Sequence, residues 1–135
     1  MKRVAITGYP RSGKTTYANR LAEEREVAVV HTDDFIDLGW SKASERAAEV
    51  MADPATVLVE GVTVPRALRK MLKADPERRP VDEVVVIERV GRRAPLTPGQ
   101  ASMGKGVETV LAEIRPALEK LGVEFKTVVI AGDDE

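Results

Sequence analysis

Short apolar segments recur along the chain and are separated by longer stretches with helical spacing. Five of them read as strands, at residues 4–6, 27–30, 57–59, 84–87 and 124–130. Each is short and mostly apolar, which is typical of strands that helices cover on both faces of a sheet. The pattern predicts an α/β fold built on a mainly parallel five-stranded sheet.

The stretches between these strands predict four helices. They cover residues 14–26, 41–52, 65–73 and 105–121, and Pro116 is expected to split or kink the last one. The segment 89–106 is rich in residues that break regular structure: Gly91, Pro95, Pro98, Gly99, Gly104 and Gly106. We therefore expect a long mobile loop there, and loops of that length usually have a function.

Length and composition favour one soluble domain. The 135 residues leave little room for a second core, and 43% apolar with 32% charged residues is usual for a globular protein. There is no cysteine, which excludes disulfides and thiolate metal sites. No signal peptide is visible and no apolar run approaches the roughly 20 residues that a membrane span needs. We expect a cytoplasmic protein without membrane contact.

The sequence Gly8-Tyr9-Pro10-Arg11-Ser12-Gly13-Lys14-Thr15 has the spacing of a Walker A phosphate loop, and it lies between a predicted strand and a predicted helix. Glycines let backbone N–H groups turn toward an anion at the positive end of the helix, while Lys14 adds charge and Thr15 offers a hydroxyl to Mg²⁺. The alternative is an ordinary glycine turn with a solvated lysine. The motif predicts ATP and Mg²⁺ as cofactors, with the nucleotide bound by Gly8, Arg11, Ser12, Gly13, Lys14, Thr15 and Thr16.

Carboxylates follow two of the predicted strands, where ligands of a parallel sheet gather. Asp33 and Asp34 follow the second strand, and Glu60 follows the third. Asp33 is the candidate base that accepts the proton of an acceptor hydroxyl. Glu60, together with Thr15, is the candidate metal site. The alternative makes the aspartates helix or turn caps and Glu60 a solvated strand end.

The phosphate loop, the segment Thr32-Asp33-Asp34-Phe35 and the segment Val57-Leu58-Val59-Glu60-Gly61-Val62 resemble those of uridine kinase and its relatives in the P-loop kinase superfamily. The resemblance covers about the first half of the chain and ends near Arg89. It implies a three-layer P-loop fold, contact of Asp33 with the acceptor hydroxyl, and Glu60 at the metal and substrate site.

Three arginines, Arg89, Arg92 and Arg93, begin the glycine- and proline-rich segment. We interpret the segment as a lid in which Arg92 and Arg93 stabilise charge on the transferred phosphoryl group. A solvated basic loop is the plain alternative. A third possibility is a nucleic-acid groove formed with four basic residues of the preceding helix. These are Arg66, Arg69, Lys70 and Lys73.

Three isolated side chains lie near the carboxylates. His31, the only histidine, is expected to pack or to form a hydrogen bond rather than to act in catalysis. Phe35 and Trp40 flank the acidic cluster, and two interpretations stay open for them: stacking on an acceptor base, or a place in the core.

Together these features predict an ATP-dependent phosphotransferase. It would move the γ-phosphate of ATP to a hydroxyl of a nucleoside, a nucleotide or a nucleic-acid acceptor, and the missing acceptor domain leaves a second class open. That alternative is a P-loop ATPase or nucleotide-dependent binding module that acts on a protein or nucleic-acid partner.

Overall fold

The computed structural model describes residues 1–91 and 95–132. A five-stranded sheet, in which every pairing of described strands is parallel, forms the centre of the molecule, in the order β2-β3-β1-β4-β5. The strands are β1 Val4–Gly8, β2 Val30–His31, β3 Leu58–Glu60, β4 Glu83–Gly91 and β5 Glu124–Gly132. The predicted α/β class and the five strands are confirmed.

Helices cover both faces of the sheet, as the three-layer prediction requires. The helices are α1 Lys14–Arg25, α2 Trp40–Ala52, α3 Val64–Ala74 and α4 Pro98–Lys120, with a 3₁₀ helix at Thr32–Leu38. The molecule has one hydrophobic core on each face of the sheet. Alternate residues of β1 belong to different cores, because successive strand side chains point to opposite faces. Val4 and Ile6 pack with α1, whereas Ala5 packs with α2, α3 and α4.

The central position of β1 determines where a ligand can bind. This strand is buried throughout and pairs with β3 on one side and β4 on the other, with Ile6 opposite Glu60 and Gly8 opposite Ile87. The chain moves to one side of β1 to form β2 and β3, and then crosses to the other side for β4. Such a reversal of strand order opens a crevice at the carboxyl ends of the strands.

The prediction of a long loop over residues 89–106 is wrong. Strand β4 continues through Arg89 to Gly91, and α4 already begins at Pro98. A capping box starts the helix: the backbone N–H of Gln100 donates to Thr97 Oγ1 and the N–H of Thr97 donates to Gln100 Oε1.

Two other elements, β2 and α4, differ from the sequence-based expectation. Strand β2 is only two residues long, and the acidic cluster that follows it lies in the 3₁₀ helix. Helix α4 runs without a break through Pro116, whose ring lies on an exposed turn near the end of the helix. In the part of the chain that the structure describes, no helix is both long and apolar enough to cross a membrane.

Candidate functional site

The phosphate loop connects the buried strand β1 to the first turn of α1, as its motif predicts. Gly13 has a φ of 97°, a left-handed conformation that glycine adopts without steric cost, and it caps α1 without a side-chain bond. Arg11 also has a left-handed φ, of 64°. A Cβ on Gly8 would lie 2.6 Å from the carbonyl oxygen of Ile87. Glycine therefore allows β1 and β4 to approach where the loop begins.

The start of α1 presents unpaired backbone donors and one cation to the loop. Lys14, Thr15 and Thr16 are the first residues of the helix, so no preceding turn accepts their N–H groups. Lys14 is only 5% exposed, and its Nζ donates to the carbonyl of Tyr9 at 3.3 Å. The cation thus lies against the loop backbone, and Arg11, Thr15 and Thr16 are exposed beside it.

Glu60 ends β3 next to this loop and is almost fully buried, with 1% of its surface exposed. Its Oε2 accepts a hydrogen bond from Thr15 Oγ1 at 3.1 Å and lies 2.5 Å from His31 Nδ1. Its Oε1 is buried, and no donor among residues 1–91 and 95–132 reaches it. One buried carboxylate oxygen therefore remains open to a further ligand.

This arrangement fits a magnesium ion bound together with phosphates. Mg²⁺ is usually held by one or two protein ligands, while phosphate oxygens and waters complete its octahedron. Glu60 and Thr15 supply two oxygen ligands, and Oε1 is an acceptor that lacks a donor. No cluster of three or more His, Asp or Glu side chains suited to a metal occurs in the described ranges. The residues thus fit an ion that arrives with a nucleotide.

Asp33 connects the 3₁₀ helix to the end of β3. Its Oδ1 accepts the backbone N–H of Val62 at 3.0 Å, and the side chain is half-buried. Thr32 Oγ1 donates to the Glu60 carbonyl at 3.1 Å and accepts from Thr63 Oγ1 at 2.7 Å. One oxygen of Asp33 therefore holds the backbone that follows Glu60. Asp34 is exposed.

Gly61 makes this connection possible. Its φ is 148°, and a Cβ there would lie 1.9 Å from Thr32 Oγ1 and 2.8 Å from Asp33 Oδ1. The carbonyl of Gly61 accepts from the buried hydroxyl of Thr7 at 2.9 Å, and its N–H donates to the carbonyl of Ile6 at 3.1 Å. The turn after β3 is therefore fixed to β1 and to the 3₁₀ helix together.

The structure brings several of the predicted site residues to one edge of the sheet. Lys14, Thr15, Asp33 and Glu60 all lie at the carboxyl ends of β1, β2 and β3. The hydrogen bond expected of His31 is present, and its partner is Glu60. Arg92 and Arg93 lie outside the described residues. Their roles, like those of the other site residues, stay predictions.

Sequence reasoning missed the contact between the phosphate loop and α4. The Tyr9 ring packs on Gly104, where a Cβ would come within 1.9 Å of it, and the Tyr9 hydroxyl donates to Glu108. A glycine inside a helical pattern often marks such a close approach, and this signal was available in the sequence. The phosphate loop is therefore supported by α4 as well as by the sheet.

A cavity of about 380 Å³ lies where this contact meets the sheet. It is bordered by the carboxyl ends of β1 and β4 and by one face of α4. Ser12 Oγ and Arg89 Nε, from two residues of its lining, are buried and have no hydrogen-bond partner within the described ranges. The cavity therefore adjoins the phosphate loop on the α4 side.

Comparisons with known proteins leave this chain without an assigned family. No family model matches it, and no curated protein matches it. A similar fold occurs in a crystal structure of a protein from Chloroflexus aurantiacus J-10-fl that is provisionally assigned as a kinase. The two chains are 13% identical, the match covers 95% of this chain and 85% of the other, and the TM-score is 0.49. At that identity and score, the likeness bears on neither the activity nor the substrate of this chain.

Proposed function

We propose that this protein is a P-loop phosphotransferase that moves the γ-phosphate of ATP to a hydroxyl group. One observation carries the proposal. Beside a loop with the Walker A spacing lies the buried carboxylate of Glu60, bonded to Thr15 through Oε2 while Oε1 has no donor in the described part of the chain. His31 and Thr15 both contact Oε2, whereas a buried oxygen without a partner is costly, and a cation bound with the nucleotide would supply the partner that Oε1 lacks.

The nucleotide side of the reaction is assigned to the phosphate loop. Backbone N–H groups at the start of α1 would bind the phosphate oxygens, together with the ammonium group of Lys14. Thr15 and Glu60 would hold Mg²⁺, which when bound neutralises charge on the β- and γ-phosphates. His31 contacts the same oxygen of Glu60 as Thr15 does, so it would orient the carboxylate.

The acceptor side is assigned to Asp33. Its Oδ1 is held by the Val62 N–H, so the carboxylate has a fixed orientation and Oδ2 would accept the proton of the acceptor hydroxyl. The acceptor oxygen then bonds to the γ-phosphorus, the bond from that phosphorus to the bridging oxygen breaks, and ADP leaves with that electron pair. Arg92 and Arg93 stay proposed as the cations that stabilise the transferred group.

A second candidate is an ATPase that serves a partner. The observation that favours it is the bond from the Val62 N–H to Asp33, because it gives Asp33 a structural reason to be present without an acceptor. In that case water replaces the acceptor hydroxyl, and turnover needs no second small molecule.

Phosphate transfer from radiolabelled ATP would test the proposal. The purified chain is incubated with Mg²⁺ and separate panels of nucleosides, nucleotides and short oligonucleotides, with Lys14→Ala as the inactive control. We expect label on one acceptor class and little release of inorganic phosphate without it. Release of phosphate at the same rate with and without every acceptor would contradict the transferase and favour the ATPase.

A further inference from the structure

Two neighbouring cavities lie between α2, α3 and the first turns of α4. The smaller has a volume of about 250 Å³ and the larger about 480 Å³. Trp40 and Arg66 line both of them, so the cavities adjoin at this pair. The Arg66 guanidinium lies over the indole ring, 4.9 Å from its centroid.

The smaller cavity is strongly basic. Of the seven described residues that line it, none is an acid and four are cations: Arg66, Arg69, Lys70 and Lys73. Their spacing places them on one face of α3, over about 10 Å of helix. Arg69 is paired with Glu113 at 3.1 Å, whereas Lys70 and Lys73 form no ion pair with any side chain of the described ranges. The cavity thus has positive charge that the described side chains do not compensate.

The larger cavity has a different lining. Besides Trp40 and Arg66 it is formed by neutral residues at the start of α4, among them Gln100 and Met103. Arg66 covers one face of the indole, but Trp40 is 40% exposed, so a ring could stack on the other face, and Met103 adds a polarizable thioether. The larger cavity therefore suits a neutral aromatic group, and the smaller one suits an anion.

Both cavities adjoin the elements that carry the proposed chemistry. Trp40 begins α2, separated by one residue from the 3₁₀ helix in which Asp33 lies, and Arg66 is in the first turn of α3, shortly after Glu60. The wall formed by α4 includes Met103, whose neighbour Gly104 packs on Tyr9 of the phosphate loop. A ligand in these cavities would therefore lie on the acceptor side of the site.

We infer that the acceptor is a phosphorylated nucleoside, free or at the end of a nucleic-acid strand, rather than an uncharged nucleoside. Its base stacks on Trp40 in the larger cavity, and its phosphate binds Arg66, Lys70 and Lys73 in the smaller one. The inference rests on the proposed function only in naming this ligand the acceptor. Binding of the ligand itself is a separate, measurable claim.

Intrinsic fluorescence offers a direct measurement, because Trp40 is the only tryptophan of the chain. Four deoxynucleosides, their 5′-monophosphates and a six-residue oligothymidylate are titrated separately into protein that is saturated with Mg²⁺ and a non-hydrolysable ATP analogue. We expect at least one monophosphate or the oligonucleotide to quench the indole and to bind about tenfold or more tightly than the matching nucleoside. Equal affinities, or no quenching by any probe, would overturn the inference.

Salt dependence would identify the source of the phosphate. If a strand is the ligand, the oligonucleotide binds more tightly than the monophosphate and the slope of log K against log salt is about −0.7 for each engaged phosphate. If a free nucleotide is the ligand, both bind alike with a shallow slope. Either result supports a phosphorylated acceptor.

Two double variants that each remove two positive charges test the basic cavity and keep the tryptophan reporter. Lys70→Gln with Lys73→Gln should weaken binding of the phosphorylated probe about tenfold and leave nucleoside binding unchanged. The control, Lys120→Gln with Lys126→Gln, removes two exposed lysines outside both cavities and should change neither. Equal losses in the two double variants would contradict the assignment of the phosphate to this cavity.

The two proposals fail separately. Tight binding of a phosphorylated probe without phosphate transfer to any acceptor would contradict the phosphotransferase and leave the ligand assignment standing. Transfer to an uncharged nucleoside as efficient as transfer to its monophosphate would contradict the ligand assignment and leave the phosphotransferase standing.

Discussion

Glycines in two regions around the site have different structural roles. The strand-end region comprises residues 8–16, 31–33 and 60–63, and here Gly13 and Gly61 have φ values of 97° and 148° that side chains disfavour. The α4 start comprises residues 97–108, and here Gly104 lies in regular helix beneath the Tyr9 ring. In the first region Gly61 combines a positive φ with a close approach of the Thr32 side chain, whereas in the second region Gly104 keeps a helical conformation and permits only a close approach.

This difference explains why the second region was misread. Glycines that shape a phosphate loop occur at a fixed spacing, so the motif identifies them in the sequence. A glycine that makes room for a ring from another element is marked only by its place inside a helical pattern, and that mark does not say which element approaches. The cost of such a glycine in helix propensity is about 1 kcal/mol per residue, and tertiary contacts with Tyr9 and a capping box outweigh it here.

The strand-end region is expected to perform the chemistry, and Asp33 provides the largest effect. Asp33→Asn keeps an oxygen that can accept the Val62 N–H, so fold and ATP binding should persist. Loss of the proton acceptor should slow phosphate transfer by about 10²–10⁴-fold. Single-turnover transfer and ATP calorimetry on the same variant would measure both quantities.

An unchanged transfer rate in that variant would leave Asp33 with only its structural bond. The control is Asp34→Asn, because Asp34 is exposed next to it in the chain. This control should leave both the rate of transfer and the affinity for ATP as they are in the parent.

Lys14 offers the next largest effect, on binding rather than on rate. Lys14→Ala removes a cation that is predicted to contact phosphate oxygens, and the loss of about two charge-assisted bonds of about 2 kcal/mol each implies an ATP affinity about 10³-fold weaker. Stability should change by about 1 kcal/mol or less, since within the described ranges the lysine side chain forms a single hydrogen bond, of 3.3 Å to the Tyr9 carbonyl. Calorimetry and urea unfolding would measure the two. Equal ATP affinity in variant and parent would remove Lys14 from the phosphate site.

The sequence predicted the sheet, its class and the edge where Lys14, Asp33 and Glu60 meet, because each depends on local patterns. Apolar runs mark the strands, the glycine spacing marks the loop, and parallel strands bring their carboxyl ends together. The bond between His31 and Glu60 depends on register between β2 and β3, which aligns the two residues. No single-sequence pattern encodes that register for a strand of two residues.

The start of α4 could not be predicted in the same way. Pro98, Gly99, Gly104 and Gly106 all have low helix propensity and were therefore all taken as residues that break a helix. Each is nevertheless compatible with α4, for a different reason. Proline suits the first turn of a helix. A Cβ on Gly106 would lie 3.3 Å from the guanidinium of Arg66, so this glycine too accommodates a neighbour. These reasons exist only once α3 and the phosphate loop are in place.

Gly61 tests whether the strand-end region depends on backbone conformation or on space. Gly61→Ala should cost about 3 kcal/mol, because the new Cβ would collide with Thr32 Oγ1 in addition to the strain of a positive φ. Gly39→Ala is the control: its φ is 92°, and no atom of residues 1–91 and 95–132 lies within 4 Å of a Cβ there. Strain alone predicts a smaller loss of about 1–2 kcal/mol for the control, because its ψ of 156° puts it in a region that is almost restricted to glycine. Urea unfolding that gives equal losses would show that conformation, and not space, defines the turn.

The α4 start should give the smallest effect, and it should appear in binding more than in stability. Gly104→Ala gains up to about 1 kcal/mol of helix propensity, yet its Cβ would lie 1.9 Å from the Tyr9 ring and must displace it. We therefore expect nearly unchanged unfolding and an ATP affinity about tenfold weaker, because the phosphate loop moves with Tyr9. Gly99→Ala is the control in the same helix, since the nearest atom to its Cβ, Thr97 Oγ1, is 3.9 Å away.

A double-mutant cycle of Gly104→Ala with Tyr9→Ala should show non-additive losses in ATP affinity. Strictly additive losses in ATP affinity would show that Gly104 and Tyr9 are not coupled, and would contradict support of the phosphate loop by α4.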